Sequence, residues 1–266
     1  MFRDITLGQY YPGQSIIHRL DPRTKLLWTL VYIVSLFVAD NKYAYGASVL
    51  ALAAVIILSS VPFTHMLKGL KAVLVILIIS VLFNLFLTDG RVLVSFWIFK
   101  ITLEGIRRAV FMAVRLVCLI LGASLMTYTT TPNQLTDGIE RGLGFLKLIR
   151  VPVHEIAMMM SIALRFIPIL TEELDKIIKA QTARGADLES GNFIKRAKAM
   201  TPILIPLFVS AFRRAGDLAQ AMEARCYHGG RGRTRMNPLS MAGRDYAAII
   251  IMFAYLGGII VLSVLL

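Results

Sequence analysis

The stretch YAAIIIMFAYLGGIIVLSVLL, residues 246–266, decides the fold class, because all twenty-one residues lack a formal charge. A bilayer's hydrocarbon core is about 30 Å thick and a helix rises about 1.5 Å per residue, so about 20 apolar residues cross it. Working outward, residues 43–64 are also uncharged, 72–88 (AVLVILIISVLFNLFLT) run slightly short, and 109–128 are interrupted only by Arg115. Residues 26–39 (LLWTLVYIVSLFVA) are shorter still. There Arg23 and Lys25 can snorkel at one end, while Asp40, Asn41 and Lys42 make a polar turn at the other. This pattern predicts the first helix of a hairpin. The 266-residue chain is 57% hydrophobic and 17% charged, which excludes a disordered chain. Its two cysteines, Cys118 and Cys226, exclude a disulfide scaffold and any CxxC metal site. The sequence predicts an all-α polytopic membrane protein with about five transmembrane helices plus long amphipathic cytosolic helices.

A net charge of +13 suits either nucleic-acid binding or a membrane protein with basic cytosolic loops, so the placement of the charges decides. With the N-terminus inside, residues 1–25, 62–71 and 129–245 carry 4, 2 and 17 of the 29 Lys and Arg residues. The outer loops hold only Lys42, Arg91, Lys100, Arg107 and Arg108. This bias predicts a multi-pass chain with its N-terminus cytosolic and its C-terminus outside, with membrane lipid and no nucleic acid as partner. Residues 1–25 are polar with no cleavable apolar core, and read as a cytosolic leader rather than a signal peptide. The expected organisation is a leader with four transmembrane helices over 1–128, a cytosolic segment over 129–245, and a last transmembrane helix over 246–266.

Within 129–245 the apolar runs are too short to cross: nine uncharged residues between Glu155 and Arg165, and fourteen from Ala199 to Phe212. They repeat instead with helical period. Met160, Ala163, Leu164, Ile167, Leu170, Leu174, Ile177 and Ile178 form one stripe, and Leu204, Leu207, Phe208, Ala211, Ala215, Leu218, Ala219 and Met222 form another. Such stripes serve either core packing or a partner-binding surface. Two long helices with nothing else to cover them favour the partner. Pro168, Pro202 and Pro206 fall near the expected membrane-proximal starts of these helices, where they would set bends or initiate helix.

Both helices end alike. Ala183-Arg184-Gly185 closes the first, and Ala224-Arg225-Cys226 closes the second forty-one residues later. Glycine just past a helix end takes the left-handed conformation cheaply, and arginine in the last turn complements the exposed carbonyls. Plain capping accounts for an isolated case. The pair also has the shape for docking, because a small alanine beside a planar guanidinium fork suits a pocket that offers a carboxylate or carbonyls.

No G-x-x-x-x-G-K-[ST] phosphate loop occurs, so the chain has no means of hydrolysing ATP and needs no cofactor of its own. The histidines, His18, His65, His154 and His228, are scattered, and His154-Glu155 lacks the second histidine of a zinc motif. Arg115 is the one charged group within a span, where snorkelling is its expected role. Asn84 is placed to bridge helices. The residues offer no catalytic constellation and no metal site.

Four segments carry a family resemblance: HRLDPRTKLL (18–27), TTTPNQLTDGIERGL (129–143), SIALRFIPILTEELDKIIKAQTARG (161–185) and IPLFVSAFRRAGDLAQAMEARCY (205–227). The sequence resembles the transmembrane T component of energy-coupling factor (ECF) transporters, prokaryotic vitamin and metal importers of the ABC class. The resemblance runs essentially the length of the chain. It implies coupling helices that cross each other and a place in the prokaryotic cell membrane. It further implies docking of two ABC ATPase subunits through Ala183, Arg184, Gly185, Ala224, Arg225 and Cys226. Finally, it implies a small membrane S component, which binds the solute, held on the apolar faces that include Met160, Leu164, Ile167, Leu204, Leu207, Phe208 and Ala211. ATP would be bound by the partner ATPases. Position 226 departs from the family pattern, since cysteine stands where glycine is expected; either the helix ends differently there or the second docking site is slightly altered.

The alternative from another class is a self-contained membrane carrier or channel, which would need polar residues facing one another inside the spans. A lipid-directed enzyme using His154 and Glu155 is a third. The GGRGRTR run with Arg231, Arg233 and Arg235 reads as a solvated loop or an acidic-lipid contact.

Overall fold

The structure is a computed structural model that describes residues 10–39, 41–96, 99–186, 193–230 and 238–265. Asp40, Arg231, Arg233 and Arg235 lie outside the described residues. The chain forms α1 (Pro22–Val38), α2 (Lys42–Ser59), α3 (Phe63–Leu87), β1 (Val92–Phe96), β2 (Phe99–Thr102), α4 (Leu103–Thr129), α5 (Pro132–Gly142), a short 3-10 helix (Leu143–Ile149), α6 (Val153–Ala183), α7 (Phe193–Ala224) and α8 (Gly243–Leu265). Among the described residues the regular structure is helical apart from the β1–β2 hairpin, antiparallel with Ser95 opposite Lys100. The sequence places these residues in an outer loop, and the hairpin gives that loop a regular pairing.

The helix starts follow local chemistry. Asp21 caps α1 by accepting the Arg23 N–H at 2.9 Å, with Pro22 at the first helical position. Thr102 caps α4 by accepting the Gly105 N–H at 3.0 Å. Thr131 and Gln134 form a reciprocal capping box at α5, the Thr131 N–H donating to the Gln134 side chain at 3.2 Å and the Gln134 N–H donating to Thr131 Oγ at 3.3 Å.

Among the described residues four helices, α2, α4, α6 and α8, are long and apolar enough to cross a membrane, and α3, bent by 65° between Lys71 and Val73, makes a fifth if it counts as one span. This set differs from the expected one by two members. At 17 residues α1 rises only about 26 Å. Conversely α6, expected to be amphipathic, meets the length and composition of a span because the helix is continuous through Arg165.

The described chain packs as two compact units. One carries α1 to α4, most of α5, and α8, within Gly8–Gly138 and Leu239–Leu266; the other carries α6 and α7 within Ile139–Pro238. The first unit centres on Tyr32, Leu36, Leu52, Met66, Leu121, Leu125 and Ile259. Gly122 of α4 lies against the Tyr32 ring, where a Cβ would sit 2.8 Å from a ring carbon, so a small residue permits this close approach. A polar thread crosses the same core: Ser35 Oγ and the Tyr255 hydroxyl lie 2.8 Å apart, Tyr255 donates to Ser48 Oγ at 3.2 Å, and Trp28 Nε1 donates to the Ala248 carbonyl at 2.9 Å.

The HRLDPRTKLL segment supplies a buried clasp for this unit. Lys25 does not snorkel; it turns inward and donates to the carbonyls of Thr129, at 2.8 Å, and His18, at 3.1 Å. The Asp245 carboxylate accepts the Asp21 N–H at 2.7 Å and the Ala242 N–H at 2.9 Å, which ties the starts of α1 and α8 together. His18 Nε2 faces the Tyr11 carbonyl at 3.0 Å and so must carry the proton there, leaving Nδ1 to accept from Ser15 Oγ at 2.7 Å. Burial holds His18 below its ordinary pKa, opposed by the Tyr11 hydrogen bond. Burial likewise lowers Lys25 from 10.5 to about 8, opposed by the neighbouring carboxylates of Asp21 and Asp245.

Candidate functional site

The second unit is organised by α6, 31 residues long, and α7, 32 residues long. Gln181 meets Pro202, Glu173 meets Arg214, and His154 meets Gly230. One number rises as the other falls, so the helices run antiparallel. Their starts therefore lie at opposite ends, which corrects the expectation that Pro168, Pro202 and Pro206 share a membrane-proximal end. All three prolines also lie inside the helices.

Between the helices runs a groove of about 290 Å³ lined by Ile162, Phe166 and Leu170 from α6 and by Ala211, Arg214, Ala215, Leu218, Ala219 and Met222 from α7. The α7 side is the stripe expected from sequence. On α6 the groove takes Leu170 from the expected stripe but Ile162 and Phe166 from beside it, so the facing set is rotated from Met160 and Ile167. The signal was present in the i, i+4, i+8 spacing of these three, but two apolar stripes on one helix compete and periodicity alone does not choose between them. Beside the groove Arg214 donates to the Glu173 carboxylate at 2.5 Å. Both groups are partly exposed, so solvent screens the pair and it contributes little to stability.

The remaining stripe residues have less cover. Met160, Ile167, Leu204 and Phe208 are exposed, Phe208 to 59%. Leu164, Leu207 and Ala211 are half-buried.

The two helix ends share one geometry. After α6 the Gly185 N–H donates to the Thr182 carbonyl at 3.0 Å and the Ala186 N–H donates to the Gln181 carbonyl at 3.0 Å. After α7 the Cys226 N–H donates to the Glu223 carbonyl at 2.8 Å and the Tyr227 N–H donates to the Met222 carbonyl at 3.1 Å. Each is the paired 5→2 and 6→1 bonding of a Schellman cap, with the residue after the arginine left-handed: Gly185 at φ +85° and Cys226 at φ +54°. Cysteine thus takes the conformation glycine would take, and the α7 helix does not end differently. Ala183, Arg184, Gly185, Ala224, Arg225 and Cys226 are all exposed. Because the helices are antiparallel, Arg184 and Arg225 stand at opposite ends of the hairpin. A 31-residue helix rises about 46 Å, so the two guanidiniums are on the order of 40 Å apart.

Among the described residues no group of three His, Cys, Asp or Glu side chains gathers as a metal site. His154 instead contacts Glu140 at 3.0 Å. It also fills the space beside Gly230, which leaves no room there for a Cβ. Asn84 donates to the Ser80 carbonyl of its own helix at 2.8 Å rather than bridging to a neighbour.

The fold and these tips define a class: a polytopic helical membrane protein whose paired long helices each present one arginine on a capped end. A family profile described as "Cobalt transport protein" matches residues 13–236. The chain is 52% identical over 248 residues to the energy-coupling factor transporter transmembrane protein EcfT of Thermosediminibacter oceani, covering 93% of this chain and 94% of that one. It is 54% identical over 250 residues to the protein of that name from Clostridium kluyveri, with 93% of each covered. With the Bacillus subtilis protein of that name it shares 46% over 251 residues, covering 94% and 95%. The chain belongs to this family and is a transmembrane component of an energy-coupling factor transporter.

Proposed function

We propose that the chain is the scaffold through which ATP-driven movement of two ABC ATPase subunits reaches a small membrane S component, for uptake of vitamins or transition-metal ions. The observation that carries this reading is the pair of matching Schellman caps at opposite ends of one antiparallel hairpin, each exposing a single arginine. Two separated tips suit two ATPase subunits, one per tip. When nucleotide draws the subunits together, the tips move and the hairpin acts as the lever. The apolar faces of the two helices, with Met160, Ile167, Leu204 and Phe208 exposed and Leu164, Leu207 and Ala211 half-buried, offer the surface on which the S component sits. The chain performs no catalysis and holds no cofactor, since it lacks a phosphate loop; ATP is bound by the partners.

The distribution of Lys and Arg supports a cytosolic N-terminus and an outer C-terminus in the cell membrane, with five spans formed by α1 to α4 and α8. The α6–α7 hairpin then lies on the cytosolic side. The charges Glu172, Glu173, Asp175, Lys176 and Lys179 along α6 favour that placement over a span.

Purification of the tagged chain from native membranes, followed by mass spectrometry, tests the reading. Two ATPase subunits and a small apolar protein should co-purify. Solute uptake by the chain alone in liposomes would favour a self-contained carrier instead.

A further inference from the structure

A cavity of about 570 Å³ lies in the first unit, lined by Tyr45 of α2, Asn84 of α3, Asp89, and Glu104, Arg107, Arg108, Phe111, Met112 and Arg115 of α4. Nothing in the coupling role uses it. Three of its groups are guanidinium cations from one helix. Arg107 and Arg108 lie in the second turn of α4 and are exposed, whereas Arg115 is the thirteenth residue of α4, about 18 Å along the helix from its start. Arg115 therefore lies deeper in its helix than the apolar run from residue 109 implies, because α4 begins at Leu103.

Arg115 is fixed in place there. Its Nε donates to the Tyr45 hydroxyl at 2.5 Å, and its guanidinium lies 5.6 Å from the Phe37 ring centroid and 5.5 Å from that of Tyr45. A cation stacked on aromatic faces keeps its outer N–H groups available to a ligand. Arg107 stacks in the same way over Phe111 at 5.7 Å. The cavity's carboxylates are Glu104 and Asp89. Glu104 accepts the Arg91 backbone N–H at 2.7 Å and so serves the loop before β1. The N-terminal turn of α4 adds its own positive end to the three arginines.

We propose that this cavity holds a phosphate-bearing anion, either the headgroup of an anionic membrane phospholipid or free phosphate, gripped by Arg107 and Arg108 at the rim and by Arg115 beneath. Phe111 and Met112 lie between the arginines along α4 and give the lining an apolar part, which suits an amphiphile. Basic pockets between membrane helices recognise anionic headgroups by this chemistry. The inference does not depend on which way the chain faces, since it concerns whichever leaflet the α4 start meets.

The test uses the full chain, purified in detergent and reconstituted with phosphatidylglycerol or with phosphatidylcholine, and lipid retained after delipidation is counted by native mass spectrometry. The wild type should retain phosphatidylglycerol in preference to phosphatidylcholine. Arg107→Gln/Arg108→Gln, which alters only exposed side chains, should lower that retention about tenfold or more. Arg115→Gln should do the same while helix content by circular dichroism is unchanged, and Arg213→Gln, in the other unit, should have no effect. Loss of the retained lipid on adding millimolar inorganic phosphate would support the anion site and show that free phosphate also occupies it; lipid resistant to phosphate assigns the site to the headgroup. Equal retention of the two lipids, or retention unaffected by Arg107→Gln/Arg108→Gln, overturns the proposal.

Discussion

The Gln181 side-chain amide donates to the backbone carbonyl of Pro202 at 3.2 Å across the hairpin. That carbonyl needs a partner because its ordinary donor, four residues on, is Pro206, which has no N–H. Gln181 also accepts the Ala186 N–H in the α6 cap, through its own carbonyl. One residue thus links α7 to the tip that carries Arg184. Gln181→Leu should cost about 1 kcal/mol in unfolding of the detergent-solubilised chain. In a Pro206→Ala background the helix supplies its own donor, and the same substitution should cost almost nothing. Equal costs in both backgrounds would mean that the bond contributes no stability.

Cys226 occupies a left-handed position that penalises a Cβ by roughly 1 kcal/mol. Cys226→Gly should therefore stabilise the α7 end by about that amount, while Gly185→Ala should destabilise the α6 end by a similar amount. Hydrogen exchange at the Tyr227 and Ala186 amides reports each cap directly. No change in protection in either variant would refute the shared cap geometry as a source of stability.

Much of this architecture was legible beforehand. The uncharged runs around Val55 and Ile259 fixed the spans, and the Ala-Arg pairs marked two helix ends. What sequence could not supply was direction. Lys25 looked like a snorkelling cation because periodicity does not reveal that the carbonyls of His18 and Thr129 converge on it. Thr129 stands 104 positions from Lys25 and so leaves no local trace, and the same holds for Asp21 and Asp245, 224 positions apart. At the site, the arginines were readable as capped ends, but their placement at opposite tips depends on the Gln181–Pro202 and Glu173–Arg214 pairings, which only the fold brings together.

Lys25 should make stability depend on pH in an unusual direction. Its folded value of about 8 lies below its ordinary 10.5, so between those values the unfolded chain binds the extra proton. Stability therefore rises, through this group, as pH increases from about 8 toward about 10.5. Thermal unfolding across that window should show a slope in the wild type that is absent from Lys25→Met. Identical slopes in the two proteins would show that burial does not perturb this amine.

Topology is testable with a natural reporter, because Cys226 is exposed and Cys118 is buried. In sealed cells an impermeant maleimide should leave Cys226 unmodified, and should reach it in inverted membranes stripped of peripheral proteins. A cysteine placed at Ser190 in a Cys226→Ser background should behave the same way. Labelling at position 190 in sealed cells would mean that α6 crosses the membrane, as its length and composition allow, and opposite accessibility at positions 190 and 226 would mean that α7 crosses.

The sharpest prediction concerns Arg184 and Arg225. If each anchors one ATPase subunit by a charge-assisted contact, truncating either leaves a carboxylate or carbonyl unpaired in the partner's pocket, at roughly 2 to 5 kcal/mol per site. Losses of that size weaken binding by one to several decades. Because the tips are on the order of 40 Å apart by helix length, the two losses should be nearly independent. A single Arg184→Ala or Arg225→Ala should still assemble through its intact tip but couple poorly, while the double variant should release the ATPases. Lysine should rescue only in part, since it lacks the planar fork. Arg107→Ala/Arg108→Ala, far along the chain in the other unit, should leave ATPase recovery intact. The measurement is co-purified ATPase and solute uptake in membranes with matched levels of each variant. Full recovery and full uptake in Arg184→Ala/Arg225→Ala would return both arginines to helix capping alone, because the Schellman bonds are made by the backbone and survive the loss of either side chain.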